Sequence, residues 1–148
     1  MLKTLKNMLN KTTTKTNSDE GHDLSLAVTA LMIEIMHSDD VLDDAERDKI
    51  NKSLEKRYEL SSHEVQELVL KAQEATAKAT DFHQFTSRIK DHYPVEDRIS
   101  ILTDLWGVAM ADGHIDTHEE HLIRRIANLI GVYHDEFIHA KIQARKEN

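Results

Sequence analysis

The chain reads as all-α: a single domain of seven helices arranged as two pseudo-symmetric halves. Three observations carry that reading. Apolar residues recur at helical spacing through most of the length. Breakers are scarce, with one Pro and four Gly in 148 residues, too few for the turns of a many-stranded β fold. The third is a repeat: Asp39-Asp40-Val41-Leu42-Asp43-Asp44-Ala45-Glu46 returns 73 residues later as Asp112-Gly113-His114-Ile115-Asp116-Thr117-His118-Glu119. Both copies read Asp-x-x-(Leu/Ile)-Asp-x-x-Glu. Flanking apolar positions match without a gap, Ile33 with Trp106, Ile35 with Val108, Met36 with Ala109 and Ile50 with Ile123, which marks a repeated supersecondary unit.

The helices follow in order. From about Asp23 to Met36, Leu24, Ala27, Leu31 and Ile35 share one face while Val28, Met32 and Ile33 fill the sides, the all-round apolarity of a central helix. Asp43 is placed to cap a second helix running to about Tyr58 with Ile50 and Leu54 inward. Ser61-x-x-Glu64 is a capping-box sequence opening a third through Val65, Leu68, Val69 and Ala72. A shorter helix runs from Phe82 to about His92 and stops before Pro94. The fixed φ of Pro94 suits the first turn of a second central helix, with Val95, Ile99, Leu102, Leu105, Trp106 and Ala109. Asp116 caps the next, which passes Leu122, Ile123, Ile126 and Leu129 to a stop at Gly131, and Asp135 begins the last.

Residues 1–22 read as a basic arm and 23–148 as the helical domain. Lys3, Lys6, Lys11 and Lys15 put +4 on residues 1–16 with no acid, leaving −12 on the rest of a chain at −8. An acidic domain repels nucleic acid and other polyanions. The arm has Leu2, Leu5, Met8 and Leu9 at helical spacing but lacks the apolar run of a secretion signal, and nowhere do about 18 apolar residues follow one another, so a cytoplasmic protein is expected. A short basic helix lying on an anionic membrane surface is the alternative to a frayed arm with a Thr-rich linker from Lys11 to Ser18. The absence of Cys excludes disulfides, thiolate metal sites and a thiol nucleophile.

The repeated carboxylates divide into two kinds. Asp43 with Glu46 and Asp116 with Glu119 have the spacing of an N-cap and its N3 acid, an arrangement worth about 1 kcal/mol that needs no ligand. Asp39 and Asp112 instead fall at the ends of central helices, where the negative end of the helix dipole disfavours a carboxylate by about 0.3–1 kcal/mol. A cation shared with the next helix's acids would relieve this, and oxygen donors suit Ca²⁺, Mg²⁺ or Mn²⁺ ahead of zinc. If the halves pack about a twofold axis, Asp39, Asp43, Glu46, Asp112, Asp116 and Glu119 converge; otherwise each loop is solvated and pairs locally, as with Arg47. Neither copy has the ligand spacing of an EF-hand.

The segment Ala111-Asp112-Gly113-His114-Ile115-Asp116-x-x-Glu119 after an apolar helix, with a divergent copy upstream, resembles the TerB-like domain of tellurite-resistance operons. The resemblance covers roughly Asp23 to Gln143 and departs at Asp40, where the family has Gly, and at Ser38, where Ala is common. It implies an all-helical cytoplasmic module of two related halves with a metal-binding acidic patch, working beside TerD-type calcium-binding proteins and the membrane protein TerC. Position by position the family pattern falls on Asp112, Asp116 and Glu119, and on Asp39, Asp43 and Glu46. TerB-like domains also occur in J-domain co-chaperones.

Other constellations compete. Glu34-x-x-His37 and Glu136-x-x-His139 have the helical spacing of di-iron carboxylate bundles, the basis of an oxidoreductase alternative, but 13 Glu and 10 His produce about one such pair by chance. His114, His118 and His121 surround the second motif without the spacing of a zincin helix. Trp106, Met32, Met36 and Met110 occupy core positions. With no phosphate loop and no credible nucleophile, the chain is not read as an enzyme. Two function classes remain: a stress-response module that binds a divalent cation and docks on partner proteins, and a metal-free acidic adaptor or co-chaperone-type domain.

Overall fold

The computed structural model describes residues 15–37 and 44–147, which form seven helices and, among the described residues, no strand. Helix α1 (Lys15–His37) begins eight residues ahead of the start read from the apolar pattern, because the polar turns before Asp23 bear no apolar stripe to register. Its second part carries the core: Val28, Ala30, Leu31, Met32, Ile33 and Ile35 are all fully buried. That burial on every side follows from position, since α1 packs on α2 (Asp44–Tyr58), α3 (Ser62–Lys78), α4 (His83–His92), α5 (Val95–Ala109) and α6 (Thr117–Leu129).

Helix α5 is the second central element. It packs on α1, α2, α6 and α7 (His134–Glu147), and every residue from Ile101 to Ala109 except Asp104 is buried. Trp106 anchors it, tilted against Phe137 of α7 with ring centroids 5.1 Å apart and Lys141 Nζ 5.1 Å from the indole ring centre. Met32 and Met36 are core residues as read, and Met110 is half-buried against the same core.

Local chemistry sets the boundaries. Ser61 forms the full capping box: its hydroxyl accepts from the Glu64 amide at 3.2 Å, and its own amide donates to the Glu64 carboxylate at 3.1 Å. Pro94 stands at the N-cap of α5, one residue outside the helix, where its missing N–H costs nothing. Helix α6 ends in a Schellman motif, with Val132 N–H bonded to the Ala127 carbonyl at 2.9 Å and Gly131 at φ +75°. The Arg98 guanidinium, held by the Tyr93 carbonyl, donates at 2.6 Å to the Ile130 carbonyl at that end. No described helix is long and apolar enough to cross a membrane.

Candidate functional site

The second acidic motif begins where α5 stops. The Met110 amide closes the last turn on the Trp106 carbonyl at 2.9 Å, and the Gly113 amide returns to the Met110 carbonyl at 2.9 Å with φ +88°, a left-handed conformation that glycine takes without strain. Asp112 is exposed, and its Oδ1 accepts from the His114 amide at 2.9 Å, a local Asx-turn that shapes the loop. Ile115 is half-buried against the core and pins the loop's far side. Asp116 then takes the N-cap position of α6 with extended backbone, its carbonyl accepting from the Glu120 amide at 3.0 Å.

The Asp116 side chain does not cap the helix, although the Asp116-x-x-Glu119 spacing invites it. Asp116 makes no side-chain cap hydrogen bond, and Glu119 turns into the protein with 1% of its surface exposed. The Asp116 backbone position is as read, and the Glu119 side chain is buried.

In the first motif, Asp39 and Asp43 lie outside the described residues. Glu46, in the first turn of α2, is 0% exposed. Thus the two carboxylates buried among the described residues are the same member of the two motif copies. Burying a carboxylate is expensive unless charge or hydrogen bonds compensate it, so neither position is an accident of a solvated helix start. Asp39 and Asp43 aside, among the described residues no three His, Asp or Glu side chains form a group arranged to hold a metal.

The competing constellations are dispersed as well. His114, His118 and His121 are all exposed. Glu136 accepts from the Tyr133 amide at 3.1 Å, half of a capping box, while His139 faces solvent; Glu34 is half-buried beside an exposed His37.

A feature that sequence reasoning missed lies on the face formed by α2, α5 and α7. Both α2 and α7 pack on α5, leaving between them a groove of about 690 Å³. Arg57 crosses it, its Nε donating to Asp104 Oδ2 at 2.7 Å and its Nη2 to Ser100 Oγ at 2.8 Å. Burial raises the Asp104 pKa, and Arg57 opposes that rise. Next to this pair the hydroxyls of Tyr58 and Tyr93 lie 3.1 Å apart, and burial pushes both phenols up. One signal was available: an acid at position 104 within the mostly apolar stretch 101–109 demands a partner.

With this geometry the comparison with known proteins decides the family. The family model described as tellurite resistance protein TerB matches residues 25–142. The chain belongs to the TerB family. The match spans both acidic motifs and all of α2 to α6, so the resemblance read from Asp112, Asp116 and Glu119 extends well beyond the motif itself. No curated protein and no solved structure matches it.

Proposed function

We propose that this TerB-family domain is a non-enzymatic module of the cytoplasm that binds a divalent cation through its duplicated acidic motif and docks on proteins of a Ter-type stress-response system, TerD-like and TerC-like by resemblance. The observation that carries this reading is the burial of Glu46 and Glu119, one from each copy, in first turns where a carboxylate could as easily have faced water. Asp116, with its side chain not engaged in capping, stands three residues before Glu119, and Asp112 opens the same loop. Asp39 and Asp43 are the corresponding residues of the first copy. An all-oxygen donor set of this kind fits Ca²⁺, Mg²⁺ or Mn²⁺, and one ion would neutralise acids that the protein otherwise keeps close to the negative end of α5. With no cysteine to serve as reductant and a net charge of −8, any part in tellurite resistance is indirect.

Calorimetric titration of chelator-stripped protein with Ca²⁺, Mg²⁺, Mn²⁺ and Zn²⁺ tests this. Saturable heat is expected for at least one ion, lost in Glu46→Gln/Glu119→Gln and in Asp39→Asn/Asp112→Asn. Cation at 100 times Kd should also add about 2.7 kcal/mol of stability. A flat titration with an unmoved melting temperature would replace the reading with the metal-free acidic adaptor, for which the exposed Asp112 in its self-contained Asx-turn is the favouring observation.

A further inference from the structure

The groove on α2 is cationic in an acidic protein. Lys49, Lys52 and Lys56 lie three and four residues apart on one helix face, and all three line it. From first to last they span about 10 Å of helix rise, longer than a single phosphate. Like charges four apart on a helix are mildly destabilising, so Lys52 and Lys56 do not support α2 as a pair, although Lys56 in the last turn suits the helix dipole.

The second copy of the repeat supplies an internal control. At the same offset it has Leu122, Arg125 and Leu129: the two leucines are half-buried, and the Arg125 guanidinium lies 5.0 Å from the centre of the Phe82 ring. One half closes this face with packing, and the other leaves it open and lined with lysine.

Lys49 is also seated. Gly107 is buried in the middle of α5, and a Cβ there would lie 2.8 Å from Lys49 Cε. A mid-helix glycine costs about 1 kcal/mol relative to alanine, and here it gives the lysine stem its channel along α5. The acids of the groove do not cancel the row. Asp104 is engaged by Arg57, which leaves Glu96 and Glu147 opposite three ammonium groups.

From these observations we infer that the groove between α2, α5 and α7 is a binding site for a small ligand carrying two or more phosphate groups, with Lys49, Lys52 and Lys56 as its charge contacts. Its volume falls in the range of small-molecule sites, about 300–1,000 Å³. Lysine binds phosphate as a mobile point charge, which suits a row rather than a fork. The site is separate from the acidic motifs and does not depend on the cation reading.

The test is calorimetric titration of the metal-stripped protein with inorganic tripolyphosphate, at low and at physiological salt. Saturable binding that weakens with salt is expected. Lys52→Ala/Lys56→Ala should lose about tenfold or more in affinity, equivalent to about 1.4 kcal/mol, while melting like the parent. Lys78→Ala, at the exposed end of α3, should change nothing. Gly107→Ala, which displaces Lys49, should weaken binding with helix content unchanged. The inference falls if the parent shows no saturable binding, if Lys78→Ala loses as much as the double variant, or if orthophosphate binds as tightly as tripolyphosphate. Tighter competing binding by a hexaglutamate peptide would overturn it in favour of an acidic protein segment.

Discussion

In α6 one face carries Leu122 and Leu129, both half-buried, and Arg125 lies over Phe82; in α2 the same repeat positions carry Lys49, Lys56 and Lys52 lining an open groove. The two helices nonetheless keep the same buried glutamate in their first turn, Glu46 and Glu119. What the copies share is therefore the acid turned inward, and what separates them is the opposite requirement placed on the outer face. Helix α6 meets that requirement with apolar burial, α2 with charge. Their C-terminal stops differ in the same way. Helix α6 ends on Gly131 at φ +75° under the Arg98 guanidinium, whereas α2 ends on Glu59 at φ +56°, its Leu60 amide reaching the Glu55 carbonyl at 3.2 Å. A glutamate in a left-handed position is strained where a glycine is not.

The comparison can be broken most forcefully at Gly131. A Cβ there would lie 2.9 Å from Arg98 Nη1 and sit on a left-handed backbone, so Gly131→Ala should cost about 2–3 kcal/mol in urea unfolding, from the backbone strain plus a weakened charged hydrogen bond. A loss under 1 kcal/mol would mean that the Arg98 cap is ornamental.

Next comes the ion pair that holds the groove. Arg57→Ala should cost about 2 kcal/mol at neutral pH, because it leaves Asp104 half-buried without its charged donor. The sign of the pH dependence follows from the raised Asp104 pKa. A folded-state pKa above the unfolded one contributes stability that is present at low pH and lost as pH rises through the folded value. Removing Arg57 raises that pKa further, so the deficit of the variant should be largest at pH 7 and shrink as pH falls through the raised value. Unfolding midpoints measured at neutral pH and at about pH 4 check this; an equal deficit at both would assign the effect to packing instead.

The smallest effect sharpens the contrast at the helix stops. Glu59→Gly should stabilise by roughly 0.5–1 kcal/mol, the relief of left-handed strain less the entropy of a freer unfolded chain. Gly and Glu thus have opposite signs at the ends of α2 and α6, and differential scanning calorimetry of both variants reads the difference directly.

The seven helices of the described residues, the two central ones among them, the Ser61 capping box and the Gly131 stop were all legible in the sequence, because periodicity and caps are local properties that act over one or two turns. The start of α1 was not legible, since the sequence of its first turns is polar and leaves no apolar period to read. Of the candidate site, the repeat singled out Glu46 and Glu119 by spacing alone, but spacing assigned them to capping. That they turn inward was decided by the helices that close over them. The basic groove was beyond local reading for the same reason: Lys49, Lys52 and Lys56 look like an ordinary solvated face until α7 packs beside them on α5 and Gly107 opens a channel for Lys49. Sequence by itself determined which segments are helical and which acids recur, because hydrogen bonds along a helix and side-chain period are short-range. Only the tertiary structure decided which of those charges are buried and which line a groove, because burial is a property of what other elements cover.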